Sequence, residues 1–389
     1  MNKKETNTYG LGRVLGELKY NVRSYTMIIA LVVIWVTLAI LTNGTSLSAR
    51  NLSILFRQTA VTGVLALGMM LVIVTGNIDM SVGSAMGLLG GIAACCQVWY
   101  ELSVPVTICV VIAFGLLVGA WNGFWVAYMK VPAFIVGLSG FLVYRGILIG
   151  LTKSASIAPM SESFKVIGQG YVSAKIGWIV CVIACVASVF LVLQNRKNKI
   201  KYGIPVPNIW LTVLKCVGVI ALICVFMYVM ASYQGIPIPV LILLCLAVVF
   251  TFVTKKTYFG KCIYAIGCNN EAAQLSGIKT KGVVFITYLI IGLMCALGGI
   301  ILTSRLNSGT ASAGNLAEMD AIAACVIGGA SLSGGVGSVP SAIVGALVMA
   351  SLDNGMSLIN TPSFWQYIIK GLILLVAVYI DIVTKKKAN

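Results

Sequence analysis

Residues 176–194 read IGWIVCVIACVASVFLVLQ, a run with no charged residue and no proline. As a helix rising 1.5 Å per residue it reaches about 28 Å, close to the depth of a bilayer's hydrocarbon core. Outward from it, apolar runs bounded by polar or Pro/Gly-bearing stretches recur at 25–42, 59–76, 82–100, 104–128 and 132–152, and again at 209–231, 237–254, 283–303, 318–333, 336–353 and 363–383. Of 389 residues, 59% are hydrophobic and 10% charged, against about 25% charged in a soluble domain. The expectation is an all-α polytopic membrane protein with about 10–12 transmembrane helices, because a helix satisfies its own backbone in lipid. Gly83, Gly87, Gly90 and Gly91 suit close helix packing there. Gly328, Gly329, Gly334, Gly335 and Gly337 leave runs ten and eleven open to a re-entrant turn in place of a full crossing.

Basic residues set the direction. With twelve crossings and the N-terminus inside, the inner segments hold Lys3, Lys4, Arg13, Lys19, Arg23, Lys130, the Arg196 to Lys201 group, Lys255, Lys256, Lys261, Lys279, Lys281 and Lys385 to Lys387. The outer segments hold Arg50, Arg57, Lys153, Lys165, Lys175 and Arg305, a threefold bias that predicts both termini to be cytoplasmic. An odd number of crossings would send one basic end outside. The first run is too long, and starts too late, for a signal peptide, so it is read as retained. The organisation expected is a cytoplasmic segment over 1–24, a transmembrane domain over 25–383 with a cytoplasmic loop at about 254–282, and a basic cytoplasmic tail over 384–389.

Several kinds of chemistry are missing. The chain has no His, which removes the usual general base, the Ser-His and Cys-His nucleophile pairs and most zinc sites. Gly260-Lys261 lacks the upstream glycine of a phosphate loop, so no catalytic residues are assigned. The net charge of +17 has no solvated domain on which to cluster for nucleic acid. Of twelve Cys, only Cys262 and Cys268 fall in a polar stretch. The others read as small buried hydrophobes, and no spacing resembles a metal site.

The loop at 254–282, TKKTYFGKCIYAIGCNNEAAQLSGIKTKG, has two readings. One is a solvated basic loop held near anionic headgroups. The other is a short helix lying along the membrane as a docking surface, with Ala272, Ala273, Leu275 and Ile278 as its apolar contact and Glu271 near its start to suit the dipole.

Ten acidic residues exist, and those at or within runs carry a cost that implies a partner, a wet cavity or a role. Asp79, in GNIDMSVGS, interrupts the chain between runs two and three together with Asn77 and Ser81; a plain turn capped by Asp or Ser explains it equally well. Glu318 and Asp320 stand two apart and so point to different helix faces, which does not make an acid/base pair. Asp353-Asn354 and Trp365-Gln366 end one run and begin the next, lining an entrance or marking the lipid interface.

The residue strings go further. GNIDMSVGS at 76–84, FGKCIYAIGCNNEAAQLSGI at 259–278 and SAGNLAEMDAIAACVIGGASLSGGVGS at 312–338 resemble the permease subunits of binding-protein-dependent ABC uptake systems for ribose, xylose and galactosides. LSARN at 47–51, RQTAVTG at 57–63, MGLLGG at 86–91, GAWNG at 119–123, MASLDNGMS at 349–357 and FWQYIIKG at 364–371 are most similar to the xylose or multiple-monosaccharide branch. The apolar pair over about 176–231 fits that longer branch as well. Met80 stands where the family usually has Leu, a swap of like volume.

The resemblance implies import of a monosaccharide, D-xylose or a related sugar, across the bacterial cytoplasmic (inner) membrane. It implies two permease copies, a cytoplasmic ATPase dimer that holds ATP and Mg, an extracytoplasmic binding protein, and no cofactor in this chain. NEAAQLSG at 270–277 matches the family's coupling segment, so docking is expected of Gly260, Asn270, Glu271, Ala272, Ala273, Leu275, Ser276 and Gly277. Asp79, Ser81, Asn122, Glu318 and Asp320 are the candidates for lining or shaping the path. Two rivals differ in class. An ion-coupled secondary transporter would titrate Asp79 or Glu318, and a membrane enzyme on lipid-linked sugars would need paired acids on a large extramembrane loop.

Overall fold

The computed structural model describes residues 22–203, 206 and 209–386; Lys3 to Lys19 and Lys387, called cytoplasmic above, lie outside them. The chain forms α1 (Val22–Leu41), α2 (Ala49–Val74), α3 (Val82–Val98), α4 (Val104–Gly123, continuing as a π-helix over Phe124–Tyr128) and α5 (Ala133–Thr152). A short α6 (Glu162–Gln169) follows, and the antiparallel two-residue strands β1 (Tyr171–Val172) and β2 (Ile236–Pro237) bracket a hairpin of α7 (Ala174–Lys201) and α8 (Ile209–Ala231). Then come α9 (Ile238–Lys256), short α10 (Tyr258–Cys268) and α11 (Asn270–Leu275), α12 (Thr280–Leu306), α13 (Ala317–Ile327), α14 (Val339–Leu358) and α15 (Ser363–Lys386). Among the described residues nine helices are long and apolar enough to cross a membrane, and Met27–Leu41 and Val82–Val98 are shorter apolar helices.

Three of the expected spans are redrawn. The second begins at Ala49, ten residues before the apolar run, because its polar first turns find partners: the Ser48 side chain caps the helix, Asn51 and Asn354 exchange side-chain hydrogen bonds at 2.8 and 3.1 Å, and Arg57 lies 5.3 Å over the Tyr171 ring. The tenth is no full helix. α13 covers Ala317–Ile327 only, about 16 Å at 1.5 Å per residue and half the hydrocarbon depth. The eleventh starts at Val339, after a turn in which Gly329, Gly334 and Gly335 have φ of 86, 87 and 75°, conformations that glycine alone adopts without strain.

Contacts between helix ends fix two faces. On one, the Gly335 amide donates to the Val74 carbonyl at 2.9 Å and the Tyr264 hydroxyl to the Gly337 carbonyl at 2.8 Å, which gathers the end of α2, α10 and the turn after α13. On the other, Ile157 and Gly309 bridge, the Met160 amide donates to Asn307 Oδ1 at 2.9 Å, and β1 pairs with β2. Followed from α1, the chain passes between these faces with every long helix, and both ends of the described chain emerge on the face of α10. In the third and tenth passes an irregular stretch, 75–81 or 307–316, does part of the crossing before α3 or α13 takes over.

The contacts repeat with inverted direction. α12 packs on α4 and α3 as α2 packs on α14 and α13; α3 packs on α5 as α13 packs on α15; α2 and α12 pack on each other at the centre. Each central helix is followed by a break at a Gly-Asn pair, Gly76-Asn77 or Gly314-Asn315, whose glycine has positive φ, 80 or 71°. Of the residues in its apolar stretch, 83% are buried in α2 and 67% in α12, against 11% in α7 and 6% in α8, so the hairpin sits at the rim.

Backbones touch at the central crossings. A Cβ on Gly292 of α12 would stand 2.2 Å from the Gly115 carbonyl oxygen, whereas one on Gly371 of α15 meets nothing within 4 Å. Gly292→Val is therefore expected to cost about 1–3 kcal/mol through overpacking and Gly371→Ala to be neutral, as read by thermal unfolding of the detergent-purified chain.

Candidate functional site

The first polar group forms where the third pass is broken. α2 ends at Val74, and after Gly76 the chain runs without helix to Ser81, where α3 begins. Asp79 Oδ1 accepts from the Ser81 amide at 2.8 Å and the Ser81 hydroxyl at 2.6 Å, holding a carboxylate at the α3 N-terminus, where the dipole favours it. Asn122 of α4 donates to Ser81 Oγ at 2.9 Å and to Asp79 Oδ2 at 3.4 Å, and the Tyr144 hydroxyl of α5 donates to Asn122 Oδ1 at 2.7 Å. All four are buried. Glycines on α5 let the break approach: a Cβ on Gly137 would lie 2.5 Å from the Met80 amide nitrogen and one on Gly140 2.9 Å from Ser81 Cβ. Three residues singled out from sequence thus meet in one cluster that pins the break to α4 and α5.

Glu318 and Asp320 occupy the first turn of α13, on the tenth pass, and face different ways as their spacing predicts. Glu318 packs where a Gly83 side chain would stand, 1.9 Å from the position of its Cβ. Beside it Arg145 Nη1 donates to the carbonyls of Ala311 and Ala313 at 3.0 and 2.7 Å, satisfying backbone freed by the irregular stretch. Asp320 points to α15, where Lys370 Nζ donates to Asp320 Oδ2 and Asp353 Oδ2, both at 2.9 Å. Lys370, Arg145 and Tyr144 were not singled out as site residues. For Lys370 the signal was a lone cation inside an apolar run, which calls for a carboxylate partner; for Tyr144 no sequence signal existed.

The segment read as a docking element folds as two short helices. The Thr257 side chain caps α10 by accepting from the Gly260 amide at 3.1 Å, and Gly260 presses on the carbonyls of Val253 and Thr254. Cys262, Ile263 and Ile266 form the buried face of α10. Gly267 lies against Val74 and Gly335, with its Cβ position 1.8 Å from the Val74 oxygen. Asn269 Oδ1 caps α11, accepting from the Ala272 amide at 2.9 Å. Asn270, Glu271, Ala272, Gln274, Ser276 and Gly277 are exposed, and Leu275 is 90% exposed. Ala273 turns inward, buried against its own chain, so the outward apolar contact reduces to Ala272 and Leu275, with Ile278 half-buried.

Residues 51–378 match the family model described as "Branched-chain amino acid transport system / permease component". The chain belongs to this permease family. It is 50% identical over 367 residues, 94% of this chain and 98% of the relative, to a xylose transport system permease protein of Haemophilus influenzae. It is 48% identical over 377 residues, 97% of this chain and 96% of the relative, to the protein of that description from Escherichia coli K12. A ribose import permease protein of Haemophilus influenzae is 33% identical over 385 residues, 98% of each chain. No solved structure matches. The permease is a multi-pass protein of the bacterial cytoplasmic membrane and a transport subunit rather than an enzyme.

In the permease the Asp320–Lys370–Asp353 group joins α13, α14 and α15. Lys370→Met leaves two carboxylates without their cation and is expected to cost about 3 kcal/mol or more. Adding Asp320→Asn and Asp353→Asn to it should restore most of the loss, as read by melting temperature in detergent.

Proposed function

We propose that the permease imports D-xylose or a closely related monosaccharide as the membrane subunit of a binding-protein-dependent ABC system. Near 50% identity to xylose permeases over almost the whole chain supports the substrate class. Two copies pair and the sugar crosses between them. A cytoplasmic ATPase dimer supplies the energy, holding ATP and Mg on its own residues, and an extracytoplasmic binding protein delivers the sugar. The face that carries α10 and α11 is the cytoplasmic one, which puts both termini inside, in keeping with the basic residues of its segments.

One observation supports the mechanism: the docking segment packs on the chain just ahead of the first broken pass and just beyond the second. α11 offers Leu275, Ala272 and Glu271 outward, while the far end of α10 packs on Val74, just before the first break, and on Gly334 and Gly335, just after α13. Closure of the ATPase dimer pushes α11, and α10 moves the end of α2, just before the first break, together with the turn after α13, the helix that the second break leads into, as a rigid element with two arrangements. Asp79, Ser81 and Asn122 shape the first break, and Glu318 and Asp320 the second. A sugar with many hydroxyls then meets weak, distributed polar contacts that pass it on without trapping it.

Glu271→Lys and Leu275→Asp change the exposed face without disturbing the buried one. Each is expected to lower sugar-stimulated ATP hydrolysis and uptake by at least about tenfold, the effect of some 1.4 kcal/mol of lost docking energy, in liposomes carrying permease, ATPase and binding protein. Unchanged uptake in both variants would rule out the coupling role. Concentrative uptake by the permease alone, abolished by collapsing an ion gradient, would replace the ATP-driven reading with an ion-coupled one.

A further inference from the structure

The α7–α8 hairpin holds a group that the transport reading leaves unused. Cys181 and Cys185 stand one helical turn apart on α7 and face Cys224 of α8, and their three Sγ atoms lie within 4.8 Å of one another. Cys181 is buried, and the other two are half-buried. Counted from the helix ends beside β1 and β2, Cys181 and Cys224 are each seven residues in, about 10 Å into the apolar layer at 1.5 Å per residue. We propose that Cys181, Cys185 and Cys224 form an intramembrane binding site for a soft cation, the cuprous ion.

The donor set selects the metal. Neither α7 nor α8 contains an acidic residue, and the chain has no His, so the hairpin's strong metal ligands are all sulfur. Thiolates and thioethers favour Cu(I), whereas hard cations need oxygen. A structural zinc ion wants four ligands, and at this depth no water is at hand to complete three thiols. Three-coordinate Cu(I) needs none. Metal–sulfur bonds of about 2.3 Å in a trigonal plane set the sulfurs about 4 Å apart, so each sulfur has to close in by less than 1 Å. A soft neighbour stands one turn away: Met227 of α8 packs on Gly177 of α7, its Sδ 3.1 Å from the Gly177 Cβ position.

The thiolate is the ligand form of cysteine, so Cu⁺ displaces the protons of the thiols it binds and releases them as H⁺, which makes binding tighter as pH rises. The ion would staple α7 to α8 where the hairpin seats on the bundle, since Cys181 and Met227 share one apolar cluster with Leu52 and Leu55 of α2, and Phe56 of α2 meets Phe226 of α8 edge-on with centroids 5.0 Å apart.

The test uses the full chain in lipid nanodiscs, titrated anaerobically with Cu⁺ against a chromogenic Cu⁺ chelator. The expected result is one tightly held ion per chain with a sulfur-only first shell in X-ray absorption. That ion should vanish in the Cys181→Ser, Cys185→Ser, Cys224→Ser triple variant and persist when Cys95, Cys96 and Cys109 are changed to Ala instead. Wild-type binding no tighter than that of the triple variant, or a first shell containing nitrogen or oxygen, would overturn the site. Should the triple variant misfold, the half-buried single substitution Cys185→Ser and the wild-type spectrum decide in the same way.

Discussion

Three backbone segments meet without side chains between them at Val74, Gly267 and Gly334-Gly335. The Gly335 amide donates to the Val74 carbonyl, and a Cβ on Gly267 would stand 1.8 Å from that oxygen and 2.4 Å from the Gly335 nitrogen. Packed protein interiors transmit displacement because they hold few voids, and here not even a compliant side chain intervenes. The end of α2, α10 and the turn after α13 therefore form one tightly packed junction. The proposed coupling depends on that junction.

The junction has leverage because the passes beside it are broken. An unbroken helix satisfies its own backbone and resists local change, while irregular backbone at membrane depth must be satisfied by protein. The permease does so at both breaks with charged side chains: Asp79, itself held by Asn122, at the first, and Arg145 at the second. Asp79 at the first break and Glu318 and Asp320 at the second sit at the N-terminus of the helix that follows, where the partial positive charge of α3 or α13 offsets part of the desolvation. Paired discontinuous helices in inverted halves are where transporters place their substrate route, and the α7–α8 hairpin stands outside that repeat.

Much of this was legible in the chain itself. Long uncharged runs exposed the crossings, because hydrocarbon tolerates few charges, and GNIDMSVGS showed that something interrupts the second and third. Asp79, Ser81 and Asn122 were singled out as polar groups near runs, and they prove to touch. The tenth run extends through residue 333 by composition, with its glycines leaving a re-entrant turn open; that the helix stops at Ile327 is decided by the turn that the positive φ of Gly329 makes. The second pass began earlier than its apolar run because Asn51 finds Asn354 and Arg57 finds Tyr171, partners more than a hundred positions away. Ala273, apolar and next to Ala272, reads as equally available for docking until the helix phase turns it inward.

The sequence by itself determined the solvent, the helices, the alternation of passes and, through its motifs, the family, since each follows from local composition or from strings that stay contiguous. Tertiary structure alone decided which polar groups meet, that Lys370 bridges Asp320 and Asp353, that α10 packs on both the end of α2 and the turn after α13, and that three cysteines from two helices converge. Those facts depend on helix phase and on distances between residues remote in the chain, and neither is written in local hydrophobicity.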